Sequence, residues 1–197
     1  MKRILSPAFA ALCCILCAAS PCAADGGLEV ESDGSGWHLG AGGGILLPGN
    51  GNSLHRAAEA AVRGGYTFSS FFDLDLEGLC APHAVSGAGA TTVSGASLMG
   101  TLHASAWDEF DRLFGCERFD PFVSFGAGGR LAGRHVFADS SHRAAFGPIF
   151  ALGAFYHLTD AWSLRADVQA QLCCDTPCGM LYGATVGVQY DFGGGGE

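Results

Sequence analysis

Beyond Lys2 the sequence contains no lysine, and only 15% of its residues are charged. Lys+Arg number 10 against 19 Asp+Glu, a formal net charge of −9. A chain so poor in cations cannot neutralise phosphates, which excludes nucleic acid as a partner. Proline is scarce, with 7 residues, and the 31 glycines follow no three-residue period, which excludes a collagen-like chain. After the N-terminal stretch no uncharged apolar run reaches about 18 residues, so no helical membrane span is expected there. What is present is apolar: 49% hydrophobic residues and a mean hydropathy of +0.27, too hydrophobic for a disordered chain. At 197 residues a single domain is the default.

The first residues have the layout of a secretory signal peptide. Lys2 and Arg3 give a positive start, Leu5 to Ala19 is uncharged and apolar, and Cys22-Ala23-Ala24 supplies small residues before Asp25. Cleavage after Ala24 is expected, leaving a short N-terminal segment at 25–34. Removing 1–24 takes both early cations and no acid, so the mature chain is more acidic still. It also removes four of the nine cysteines and leaves Cys80, Cys116, Cys173, Cys174 and Cys178. An exported chain meets oxidising conditions, so Cys173, Cys174, Cys178 and Cys80 are candidates for a disulfide. The odd count leaves at least one thiol over, and the spacing fits no common zinc pattern.

From Trp37 onward the chain alternates with period two, the signature of strands whose side chains point to opposite faces. Tyr182, Ala184, Val186, Val188, Tyr190 and Phe192 share one face; Gly183, Thr185, Gly187, Gln189 and Asp191 share the other. Trp162, Leu164, Ala166 and Val168 oppose Ser163, Arg165, Asp167 and Gln169, and Phe72, Leu74 and Leu76 oppose Asp73, Asp75 and Glu77. Runs beginning near Trp37, Ala58, Ser97, Pro121 and Phe146 read the same way, giving eight strands of about 9–12 residues, the length a tilted strand needs to cross a bilayer. No apolar-face position is charged. The other faces carry Glu59, Arg63, Asp73, Asp75, Glu77, Arg130, Arg165, Asp167 and Asp191.

A soluble sandwich and a membrane barrel share this parity. Export favours the barrel, as do aromatic residues near strand ends, which suit interfacial girdles. Loop lengths favour it too. The connections at 69–71, 107–120 and 159–161 form one set. Those at 47–56, 81–95, 133–144 and 173–181 form a longer set, expected on the outer side with both termini in the periplasm. The expected fold is therefore all-β, an eight-stranded antiparallel up-and-down transmembrane β-barrel over 35–192, followed by a Gly-rich extension at 193–197.

Three motifs carry a family resemblance. Thr185-x-Gly187-x-x-Tyr190-x-Phe192 resembles the C-terminal signal read by the barrel assembly machinery. Asp120-Pro121-Phe122 through Gly126-Ala127-Gly128-Gly129 resembles a strand of small outer-membrane proteins similar to the OmpA transmembrane domain and OmpX. Tyr156 through Asp167 resembles a hairpin of the same family. The resemblance implies a barrel in the outer membrane, contacts with outer-membrane lipid and the assembly machinery, and Thr185, Gly187, Tyr190 and Phe192 as the assembly signal.

An eight-stranded barrel is just wide enough for side chains to fill. Arg63, Arg130 and Arg165 are therefore expected to pair with some of Glu59, Asp73, Asp75, Glu77 and Asp167 in a polar plug; a narrow ion path is the alternative. His135, Asp139, Ser140, Ser141 and His142 have the composition of a hydrolase site, but the His-x-Ser pattern expected of a barrel deacylase is absent from that segment. His55, His83, His135 and His142 would scatter over outer loops without making a metal site. No catalytic residue, metal or cofactor is assigned. The expected role is a monomeric structural or surface-interaction barrel that binds an extracellular ligand through its loops, the alternatives being a channel or a lipid-modifying enzyme.

Overall fold

The computed structural model describes residues 35–49, 56–86, 89–104, 118–132, 144–174 and 179–192. The expected signal peptide, the 25–34 segment, the 193–197 extension, Cys116, Cys178 and the candidates His55, His135, Asp139, Ser140, Ser141 and His142 lie outside these residues.

Eight strands follow one another in chain order: β1 (Gly36–Pro48), β2 (Ala57–Ser69), β3 (Phe72–Ser86), β4 (Gly89–His103), β5 (Phe119–Ala132), β6 (Ala144–His157), β7 (Trp162–Leu172) and β8 (Met180–Asp191). Each pairs antiparallel with its neighbours, and β1 pairs with β8 from His38↔Asp191 to Pro48↔Leu181, closing the barrel. Closure leaves no unpaired sheet edge around the wall, so the backbone polar groups of every strand find partners laterally.

The alternation read from the sequence is the alternation of the wall. On β2 the pattern from Ala57 runs buried, exposed, buried, exposed, and Glu59 and Arg63 lie on the buried side. Outside stand the large apolar groups, including Trp37 at 67% exposure and Val186 at 61%. Inside stand Asp75 at 1%, Arg130 at 2% and Asp167 at 4%. This is the inverse of a water-soluble protein, in which charge faces out.

Outward aromatic rings gather at the end of the barrel where β1 begins and β8 ends. Trp37, Tyr66, Phe68 and Phe72 form one ladder, with centroids 5.2, 5.0 and 5.9 Å apart. Tyr190 joins Trp162 and Phe192 in another, 4.9 Å from each.

Two boundaries differ from the sequence reading. The segment 81–95, expected as a long loop, is mostly strand: β3 continues to Ser86 and β4 starts at Gly89, with Ser86 paired to Gly89 and an irregularity between Ala81 and Ala84. Only 87–88 separate the two strands, so this connection does not belong with the longer set. The fourth strand ends at His103, not Ala106, and 104–118 is the longest connection, although it lies at the end of short links.

Glycines on the lumen face let strands approach. A β-carbon at Gly126 would collide with the backbone of Leu98 and Met99 on β4, and one at Gly147 with the backbone of Leu172. Backbone cannot yield as a side-chain tip can. Gly126→Ala is expected to cost about 1–3 kcal/mol by overpacking. Urea unfolding of the refolded protein measures this, and an unchanged midpoint would show that the β4–β5 spacing is not limited there. Gly179, just before β8, has φ 69°, the left-handed conformation that glycine adopts without a β-carbon clash.

Candidate functional site

The lumen concentrates the charged residues, and the strand register determines which of them meet. Arg63 on β2 lies directly across from Glu77 on β3. Its Nε donates to Glu77 Oε2 at 2.5 Å, while its Nη2 spans the lumen to Asp167 Oδ2 at 2.9 Å and donates to Thr185 Oγ1 at 3.0 Å. One guanidinium thus ties β2, β3, β7 and β8 together. Arg165 on β7 holds Asp167 and Asp75, each at 3.3 Å. Its guanidinium also lies 4.5 Å from the ring centre of Phe122 and 5.1 Å from that of Phe155, a cation–π arrangement away from water. Asp75 receives two more bonds, from Thr101 Oγ1 at 3.2 Å and from His38 Nε2 at 2.5 Å, and Thr101 in turn bonds Ser124 at 2.8 Å.

Two further groups flank this centre. Toward the termini, His103 sits between two carboxylates, with Nε2 2.8 Å from Asp73 and Nδ1 2.5 Å from Asp120. The doubly protonated ring, in which both nitrogens donate, satisfies both contacts. Toward the other end, Arg130 Nε donates to Gln171 Oε1 at 2.8 Å, and Gln171 Nε2 donates to the carbonyl of Gly128 at 2.9 Å. The Arg130 Nη1 lies 3.5 Å from Glu59 Oε2, a charge contact without a formed hydrogen bond.

Arg63, Asp75, Glu77, Arg165 and Asp167 are therefore joined directly, Asp73 is held by His103, and Glu59 and Arg130 make a separate pair. Among the described residues, the buried acids Glu59, Asp73, Asp75, Glu77, Asp120 and Asp167 outnumber the three buried arginines, and His38 and His103 supply the remaining contacts. Both histidines, with Asp120, Thr101, Ser124 and Gln171, share the inward parity of the charged residues. The period-two alternation puts both histidines on that face but names no partner for either. Phe122 and Phe155, each 1% exposed, sit on the same inner face.

The lumen has little free space beside the arginines: a void of about 10 Å³, room for one water, is lined by Gly40, Gly42, Arg63, Arg165, Gly187 and Gln189. Among the described residues no group of three His, Cys, Asp or Glu side chains is placed to hold a metal ion. The four residues of the C-terminal motif divide between the faces: Thr185 and Gly187 point inward, Tyr190 and Phe192 outward. Cys80 and Cys174 are exposed free thiols, Cys173 is buried, and Cys178 lies outside the described residues. Cys80 is thus bonded to neither Cys173 nor Cys174.

No protein-family model matches this sequence, and no curated protein matches it. Solved structures do. The N-terminal β-barrel domain of Pseudomonas aeruginosa OprF superposes with a TM-score of 0.58 at 15% identity, covering 81% of this chain and 99% of that one. Neisserial surface protein A gives 0.59 at 11% identity with the same coverage, and Ail, the attachment invasion locus protein of Yersinia pestis, gives 0.51 at 11% identity, again with the same coverage. Such low identity with nearly complete coverage of those barrels speaks to architecture. The protein has the fold of the small eight-stranded outer-membrane β-barrels.

Proposed function

We propose that this chain is an integral outer-membrane protein with a structural and surface-interaction role. It is anchored by the apolar outer wall and engages an extracellular ligand through the loops opposite its termini. The observation that carries this reading is the inverted wall, with carboxylates and guanidinium groups inside and large apolar side chains outside. That arrangement is costly in water and favourable in hydrocarbon. Export by residues 1–24, termini in the periplasm, and assembly through Thr185, Gly187, Tyr190 and Phe192 complete the proposal.

The interior favours a plug over a path. Arg63, Arg165 and their partners cross the lumen, and the neighbouring void holds about one water. Catalysis is not part of this reading: the Ser140, Ser141 and His142 segment lacks the spacing expected of a barrel deacylase. The neighbouring folds include OprF, Neisserial surface protein A and Ail. Loop binding by a monomer is the proposed mode.

The test is gel mobility after refolding into detergent. A folded barrel that resists unfolding until boiled is expected to run differently with and without heating. Identical bands, with the protein soluble in the absence of detergent, would overturn membrane residence.

A further inference from the structure

We propose that the loop end of the lumen is closed by an apolar seal, which shuts the polar interior beneath it off from the loop side of the membrane. This rests on the reading of the barrel as membrane-spanning. Seven strands each bring one small or apolar residue to the seal, and the residue after β7 brings the eighth. Leu46 on β1 pairs with Ala57 on β2, and Val93 on β4 pairs with Ala81 on one side and Ala132 on the other. Ala145 and Leu181 come from β6 and β8, and Cys173 directly follows β7. All eight form one cluster, none more than 6% exposed.

On β3 and β4 polarity reverses at this level, while Leu131, Phe146 and Leu172 still face out on β5, β6 and β7. Deeper in the barrel charge faces in and apolar groups face out, whereas along the ends of β3 and β4 Leu79, Ala81 and Val93 face in while Thr92 and Ser94 face out. On those two strands this is the pattern of a small soluble core, with apolar groups inside and polar groups outside. The lumen beneath is buried down to Ser124 at 0% and Ser163 at 1%, and exposure rises only at the rim where β8 ends. Beneath the seal the side chains of Glu59 and Arg130 are 0% and 2% exposed, whereas His103, near the termini, is 12% exposed and Asp191 is only half-buried. A constriction lined by apolar groups excludes water and ions by dewetting, and in a barrel of eight strands one layer of side chains spans the bore.

Thiol labelling tests the seal. In a background with Cys80, Cys116, Cys174 and Cys178 changed to serine and Cys173 to alanine, Ser97→Cys reports from the chamber and Asp191→Cys from the mouth. The probe is a charged methanethiosulfonate, and only protein in the heat-sensitive folded band is scored. With the seal intact, Asp191→Cys is expected to label at least tenfold faster than Ser97→Cys. Adding Leu46→Ser and Leu181→Ser is expected to raise the Ser97→Cys rate at least tenfold and leave Asp191→Cys unchanged. If that variant does not fold, the near-isosteric Val93→Thr is expected to raise the Ser97→Cys rate at least twofold. An unchanged Ser97→Cys rate in the folded seal variant, or equal rates at both reporters in the intact barrel, overturns the seal. Absence of a folded band in the unmodified protein would instead count against the membrane reading.

Discussion

Arg63→Leu is expected to destabilise the barrel by about 3–5 kcal/mol, because it removes one partner from a buried ion-pair network and leaves the others charged. Arg63 is 7% exposed and bridges Glu77 and Asp167, which sit on strands on different sides of the lumen. Neither carboxylate has bulk water to fall back on: their side chains are 4% and 1% exposed. Urea unfolding in lipid vesicles measures the loss. The companion Arg63→Leu/Glu77→Leu variant is expected to recover part of it, since removing both partners spares the chain an uncompensated charge. A single-variant loss below about 1 kcal/mol would mean that the pair behaves as a solvated surface bridge and that the lumen is wet.

Val186→Arg is the matching change on the outer wall, expected to cost about 2–4 kcal/mol at the bilayer midplane. Val186 is 61% exposed and lies midway along β8 between the outward Tyr182 and Tyr190, level with Ala166 on β7 and Gly43 on β1. It touches no charged neighbour across either pairing. In a water-soluble protein an exposed valine tolerates arginine with little effect. Here the cation would have to sit in hydrocarbon or bend toward a headgroup. Reduced folding yield and a lower urea midpoint in vesicles are the expected readouts; an unchanged midpoint would remove the outer wall from the lipid.

The eight strands and their facing were legible because apolar groups outside and charge inside keep the contrast of the alternation high, as at Phe72-Asp73-Leu74-Asp75-Leu76-Glu77. The same rule explains the misreading of 81–95. There the apolar seal puts Leu79, Ala81 and Val93 inside and Thr92 and Ser94 outside, so small and polar residues alternate with the opposite sign and the strand reads as loop. Parity also gives a face without a depth or an angle around the bore. It places Arg63 and Asp167 inside, but only the closed register brings β2 and β7 within reach of one guanidinium. The role of His103 was hidden for a related reason: its two carboxylate partners come from β3 and β5, and no local spacing links Asp73, His103 and Asp120.

The β1–β8 seam places the first strand to be synthesised beside the last. From His38↔Asp191 to Pro48↔Leu181, the backbone partners of β1 on that side are residues the ribosome delivers only at the end. A nascent or truncated chain ending before residue 180 therefore keeps a bare strand along one border and cannot satisfy itself in hydrocarbon. For a barrel that resides in a membrane, as proposed, completion of translation is a physical checkpoint on insertion, and prematurely terminated products should be left to chaperones and proteases instead of lodging in the bilayer as open sheets.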